Sequence, residues 1–357
     1  MPAVRDGTAP SISVVVLSHN YQEFLTSAID SALAQTYPVE VLVIDDGSTD
    51  GSRDVLTTYR DRVRTLLKDN GGNSSAVNAA VPATRGDIVM FLDADDVLYP
   101  EAAAEVARAW APGCAKAQFR LSLIDAAGTR TGIDPAPGTA MPTGDVVPQI
   151  LATGGYVTPV MTGNAFRRTV LEQLLPIPVV DFRNTNDGYL NTLCPFYGSV
   201  VSIDKELGAY RLHGRNLWAF SRTIDLPDVR QRLQYDLVRQ RYLSAAATDR
   251  DLELRPDLLL SDPEHVLLRL VSLRHDPAGH PAVEDRVPAL VRHGMQALIH
   301  DSRTGPLRRV LTCCALLAVG LLPRRAALGI CDLVLTSRPR PAWVRRLARA
   351  LPGARRP

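Results

Sequence analysis

The most constraining feature of this chain is the alternation of short Val- and Ile-rich runs with amphipathic stretches between Ser11 and Glu101. Ser11–Leu17 (SISVVVL), Val39–Ile44 (VEVLVI) and Ile88–Leu92 (IVMFL) are apolar almost throughout, and Val63–Leu67 is a weaker strand. Such runs suit strands buried on both faces. Between them, Leu25, Ala28, Ile29, Ala32 and Leu33 recur at helical spacing. Val55, Leu56 and Tyr59, then Ala76, Val77 and Ala80, give two shorter stripes. Pro100 with Glu101 and an alanine run opens another helix. Strands alternating with helices predict parallel βαβ units and a doubly wound, mostly parallel α/β sheet.

In such sheets ligands bind beyond the carboxyl ends of the strands. The polar residues fall there each time. His19 and Asn20 follow the first strand, and Asp45 and Asp46 end the second. Asp69 and Asn70 follow the third, and Asp93, Asp95 and Asp96 the fourth. A chain without a site at that edge would scatter its acids among all its loops.

Asp93-Ala94-Asp95 sets two carboxylates at i, i+2 directly after an apolar strand. Such a pair suits a hard divalent cation, which takes oxygen ligands and shares its remaining positions with phosphates. The same acids would also serve as a helix-start cluster. Asp45-Asp46-Gly47-Ser48 reads as a turn with an N-cap, but two adjacent carboxylates exceed what a cap needs. No GxGxxG follows the first strand, which excludes the usual dinucleotide site, and no GxxxxGK[ST] occurs, which excludes a P-loop. Phosphates would need another counter-charge, and a metal at Asp93 and Asp95 supplies one.

Three segments now carry a resemblance. SVVVLSHNYQEFLTSAIDSALAQTYPVEVLVIDDGSTDGS (13–52), NGGNSSAVNAA (70–80) and GDIVMFLDADD (86–96) resemble, in order and spacing, the N-terminal half of family 2 glycosyltransferases. Weaker similarity continues through TGNAFRR (162–168), NTNDGYLNTLCPFYGSVVSIDKELG (184–208) and YRLHGRN (210–216). The resemblance implies the GT-A fold and inverting transfer from a nucleotide-diphosphate sugar to a glycan or lipid-linked acceptor. It implies that Leu17, His19, Asp46, Asn73 and Asp93 bind the nucleotide sugar. It also implies that Asp95, with His213, holds Mn2+ or Mg2+, and that Asp187 is the catalytic base. Asn164 and Arg167 would line the acceptor side, and Arg211 or Arg215 would assist at the diphosphate. Tyr189 and Trp218 fit either a sugar-stacking wall or core packing. The chain departs from the family pattern at Leu17, His19, Val77 and Asn186. It lacks the QxxRW motif of processive synthases, so transfer of a single sugar is expected. A non-catalytic nucleotide-sugar-binding relative, or a nucleotidyltransferase on a related sheet, stays open as an alternative.

The expected domains are a catalytic domain over 10–225, a helical appendage over 226–305 and a basic tail over 306–357. Val229, Leu233, Leu237 and Val238 begin the helical pattern, and 264–273 and 288–299 continue it. Histidines 265, 275, 280, 293 and 300 show no ligand spacing. From Arg303 onward there are twelve Arg against one Asp, a charge of +11. The chain as a whole is +2, so the part before Arg303 carries −9. A mildly acidic body with a basic tail points to a local anionic partner rather than a nucleic-acid coat. Val310–Leu322 is apolar but short of the roughly 18–20 residues that span a bilayer. Arg-rich segments with Trp and Leu, such as 343–349, lie in membrane interfaces, so the tail is expected to hold the protein on an anionic membrane surface. Five scattered cysteines without a CxxC, and an N-terminus without an apolar h-region, predict a reducing, cytoplasmic setting at the inner face of the membrane.

Overall fold

The computed structural model describes residues 9–214, 216, 226–300 and 306–327. It divides into two compact units, one over Met1–Ile150 with Gly155–His213 and one over Leu151–Gly154 with Gly214–Pro357.

The first unit is built on a nine-stranded sheet. Strands β1 (Ile12–Ser18), β2 (Val39–Asp46), β3 (Arg64–Lys68) and β4 (Ile88–Asp93) lie in the order β3-β2-β1-β4, all parallel. These are the four strands expected from the Val-rich runs. Helices α1 (Gln22–Leu33), α2 (Ser52–Thr57) and α3 (Asn73–Ala83) connect them. The short β5 (Val97–Leu98) and α4 (Ala102–Ala109) follow.

The sheet then changes character. β6 (Cys114–Asp125), β7 (Arg130–Asp134), β8 (Asn164–Arg167) and β9 (Ser199–Leu212) extend it as β4-β8-β6-β9-β5, with β7 beside β6. β8 runs antiparallel to both β4 and β6, and β6 pairs parallel with β9. Helices α5 (Val147–Thr153), α6 (Arg168–Leu174), α7 (Val179–Phe182) and α8 (Asn186–Leu193) sit among these strands in sequence.

One face of the sheet packs Val14, Val16, Met90, Leu92, Ala117 and Phe119 against Leu25 and Ile29 of α1 and Val106 of α4. Side chains alternate between faces along a strand. Val15, Phe91, Lys116, Gln118 and Phe166 therefore occupy the opposite face, and all are buried.

The second unit contains α9 (Leu226–Thr248), α10 (Pro263–His275), α11 (Val287–His300) and α12 (Pro306–Leu321). Their shared core includes Leu233, Val266, Leu270, Leu290, Leu316 and Val319. Two of the histidines are buried there against carboxylates. His265 Nδ1 lies 2.9 Å from Asp236, and His280 Nε2 lies 2.8 Å from Asp285. No described helix is long and apolar enough to cross a membrane. Arg215, Trp218 and the tail beyond 327, including 343–349, lie outside the described residues.

Candidate active site

Register brings the ends of the parallel strands level. Leu17 is opposite Asp93, and Ser18 is opposite Asp45. Leu17 is buried, and its carbonyl accepts from Ala94 N at 3.0 Å, so β1 fixes the turn that carries Asp93 and Asp95.

Asp46 ends β2 and is buried. Its carboxylate pairs with Lys68 Nζ at 2.5 Å and accepts from Gly71 N at 3.0 Å and Gly72 N at 2.7 Å. It therefore shapes the loop before α3 as much as it presents an acceptor to a base. His19 completes this corner, its ring 3.2 Å from Asn70 Nδ2. Asn73 opens α3, its N–H donating to Asn184 Oδ1 at 3.3 Å. Asp45 is spent on structure: Oδ2 accepts from Arg53 Nε at 2.9 Å and Ser48 N at 3.2 Å.

After β4, three carboxylates crowd one turn. Asp95, 6% exposed, meets His213 Nε2 at 2.8 Å. The His213 ring stacks on Phe24 with centroids 5.4 Å apart. Asp96 is buried and committed, its oxygens accepting from Thr162 Oγ1 at 2.6 Å and Arg211 N at 2.9 Å. Burial and the charges of Asp95 and Asp93 hold Asp96 well above the usual carboxylate range. Burial, with the charges of Asp95 and Asp187, pushes Asp93 up to about 8.

This donor set fits a divalent cation in its chemistry. Ionised carboxylates so close repel each other, and hard oxygen donors with one imidazole would be relieved by a 2+ charge. Among the described residues no three such side chains form a ready cage. A site of one or two carboxylates completed by phosphate oxygens needs none.

Arg211 supports the turn rather than facing a ligand. Its Nε donates to the Asp95 carbonyl at 2.8 Å, and its guanidinium lies 4.8 Å from the Phe24 ring centroid. Asp187 stands in the first turn of α8. Its N–H donates to Asn186 Oδ1 at 2.9 Å, and burial raises its carboxyl above the ordinary range. Asn186 itself is buried with Nδ2 unpartnered, and Val77 is buried in α3. Tyr189 is core, its hydroxyl donating to the Leu174 carbonyl at 3.0 Å.

Arg167 and Asn164, expected on the acceptor side, lie as follows. Arg167 pairs in register with Ile88, at the start of β4, whereas Asp93 ends that strand. Five residues of strand separate them, about 16 Å at a rise of about 3.3 Å per residue. Arg167 Nε bonds the Cys114 carbonyl, and its guanidinium lies over Trp110, so it fastens β6 at the far edge. Asn164 is fully buried. Its Nδ2 donates to the Val160 carbonyl at 2.7 Å, and its Oδ1 accepts from Thr158 at 3.3 Å.

The sequence reading missed Lys116, Gln118 and Thr162. The signal available was the period-two series Lys116, Gln118, Arg120, Ser122 within an otherwise apolar run.

A parallel 3-2-1-4 sheet, lengthened by antiparallel strands and carrying paired acids beyond β4, defines a GT-A-type protein. Comparison places the chain more narrowly. Residues 13–174 match the model of glycosyl transferase family 2. An uncharacterised glycosyltransferase of Nostoc sp. is 36% identical over 214 residues, covering 57% of this chain and 66% of its own. One from Rickettsia prowazekii is 39% identical over 93 residues, 26% of this chain and 29% of its own. The chain thus spans less than two thirds of either relative's length. Among solved structures, the mannosyltransferase PcManGT of Pyrobaculum calidifontis, in complex with GDP-Man and Mn2+, aligns with a TM-score of 0.49 at 17% identity. That alignment covers 92% of this chain and 88% of the other.

Proposed function

We propose that this protein is an inverting glycosyltransferase that moves one sugar from a nucleotide-diphosphate donor to a hydroxyl of a glycan or lipid-linked acceptor, in the synthesis of a cell-surface polysaccharide. What supports this reading is the gathering of Asp93 and Asp95 at the carboxyl edge of the parallel strands, with His213 Nε2 2.8 Å from Asp95, within a segment that matches glycosyl transferase family 2.

In this reading Asp46, His19, Leu17 and Asn73 enclose the nucleoside. Asp93 and Asp95, with His213, would hold Mn2+ or Mg2+, which when bound offsets the charge of the departing diphosphate. Asp187 accepts the proton of the acceptor hydroxyl as its oxygen bonds to the anomeric carbon. The bond from that carbon to the diphosphate breaks on the opposite face, which inverts the centre. Burial that raises the Asp187 pKa also makes it a stronger base. The catalytic domain over 10–225, the appendage over 226–305 and the basic region from 306 form one enzyme, held at the inner face of an anionic membrane.

The test is turnover on a panel of UDP- and GDP-sugars with Mn2+, comparing wild type with Asp187→Asn. The variant should bind donor normally while transfer falls about 10²–10⁴-fold, the range for losing a general base. Near-normal transfer removes Asp187 from the role.

A further inference from the structure

The loop that joins β3 to α3 is gripped from two sides. On one side is Asp46, at the end of β2. An ionised carboxylate offers about four lone-pair sites. Among the described residues, Lys68 Nζ and Gly71 N bond Oδ1, and Gly72 N bonds Oδ2. One site on Oδ2 is left, on a residue only 2% exposed.

On the other side is the segment between α7 and α8. The Arg183 carbonyl accepts from Ser74 N at 3.0 Å, and Asn184 Oδ1 accepts from Asn73 N at 3.3 Å. The Arg183 side chain lies along the loop, since a Cβ on Gly72 would be 2.6 Å from its Cγ. Its Nη2 donates to Asn70 Oδ1 at 2.5 Å. The other end of that amide, Nδ2, donates to the Asp46 carbonyl at 3.1 Å and lies 3.2 Å from both ring nitrogens of His19. Gly47 permits this approach, because a Cβ there would be 2.5 Å from Asn70 N.

Arg183 thus stands one amide away from His19 and Asp46. An exposed arginine ordinarily swings freely, but this one is fixed at its main chain, its stem and one end of its guanidinium. The side chain is exposed, and its other N–H groups bond no described residue. The corner therefore offers one acceptor site, on Asp46, and a set of held donors, on Arg183.

A base that fits must present one N–H with a carbonyl oxygen beside it. The imide edge of uracil, N3–H between O2 and O4, does so. Guanine presents N1–H and its 2-amino group together, and would ask two acceptor positions of a carboxylate with one left. Cytosine turns a lone pair at N3 toward the carboxylate and an amino group toward the arginine, leaving groups unpaired at both points.

We propose that Arg183 is a specificity-determining residue of the donor site, and that with Asp46 it selects a donor carrying an imide base of the uracil type. This rests on the reading above in which Asp46 and His19 enclose the nucleoside.

The full chain is titrated by calorimetry with UDP, CDP and GDP in the presence of Mn2+. Wild type should bind UDP about tenfold or more tighter than CDP or GDP, the scale of one well-made base contact. Arg183→Ala should weaken UDP binding about tenfold and leave CDP unchanged. Arg183→Gln still reaches Asn70 but lacks the rest of the fork, and should behave like Arg183→Ala. Equal losses for UDP and CDP in Arg183→Ala would overturn the inference, because the guanidinium would then serve the phosphates. So would wild-type UDP affinity in Arg183→Gln, since bracing Asn70 would then suffice. The wild-type ranking needs no variant to fold, and GDP or CDP bound as tightly as UDP overturns the inference alone. If wild type binds no nucleoside diphosphate, the donor-site reading fails and this inference with it.

Discussion

His213 Nε2 lies 2.8 Å from Asp95 Oδ2, although 118 positions separate them in the chain. The contact ties the end of β9 to the turn after β4. Arg211, two residues earlier, clasps the same turn through the Asp95 carbonyl and the Asp96 carboxylate. In the proposed enzyme, the end of β9 therefore sets the geometry of the metal ligands. Asp95→Ala should abolish metal-dependent nucleotide binding, measured by calorimetry with and without Mn2+. His213→Ala should weaken it about tenfold or more, within the range for losing a ligand's support. Equal affinity in a chelator would remove the metal from donor binding.

The acids after β4 make a pH-dependent demand on the metal-free fold. Asp93 is raised from 3.8 to about 8, and Asp96 moves the same way. A carboxyl raised on folding contributes stability that is full below its unfolded pKa and lost as pH rises through its folded pKa. The metal-free protein should therefore lose stability between about pH 4 and pH 8. Asp93→Asn, neutral throughout, should match wild type at pH 4 and melt about 2–4 °C higher at pH 8, the shift that about 1 kcal/mol gives in a unit of this size. Parallel melting curves across that range would show that Asp93 ionises without penalty.

What could be read from the sequence was what depends on local pattern. β1, β2 and β4 are nearly continuous apolar runs because both faces are largely covered, whereas the edge strand β3 is mostly exposed; the acids that follow the strands mark the carboxyl edge without any knowledge of pairing. The position of Arg167 depends instead on β8 running antiparallel to β4. That reversal sends the residues after Asn164 away from the site, and no spacing within the motif reports it. Lys116 and Gln118 were hidden for another reason. Alternating polar residues read as a solvated strand face, whereas here that face is buried and satisfied by the segment 156–158. Asp46 was legible as an acid at the right edge, but its bonds to Gly71 and Gly72 depend on a loop twenty-five positions away.

That loop gives a sharper test of the nucleotide side. Gly72 has φ +86°, and a Cβ there would lie 2.6 Å from the Arg183 carbonyl oxygen. Its N–H donates to Asp46. Gly72→Ala combines a strained backbone with an overlap against main chain, and should cost more than about 1 kcal/mol. Because the loop and Asp46 shape each other, nucleotide affinity should fall with stability. A variant that loses stability but binds nucleotide normally would detach this loop from the donor site.

The basic C-terminal region also presents a defined face. Along α12, Val310, Cys314, Leu317 and Leu321 follow one another at spacings of four, three and four, and all are exposed, Leu321 at 79%. Thr312, Ala315, Leu316 and Val319 on the other side are buried. Arg324 and Arg325 follow, both exposed. An apolar stripe beside arginines suits the boundary between headgroups and acyl chains, where each basic residue adds about 1 kcal/mol near an anionic surface. Truncation after Gly305 would test this poorly, because it also removes the buried side of α12. Leu317→Glu with Leu321→Glu alters only the exposed stripe and should leave the melting temperature unchanged. In flotation with phosphatidylglycerol vesicles the double variant should bind at least tenfold more weakly than wild type. Binding by wild type should weaken with salt, as exposed charges are screened. If the double variant floats as well as wild type, or if wild type prefers purely zwitterionic vesicles, α12 faces something other than a membrane.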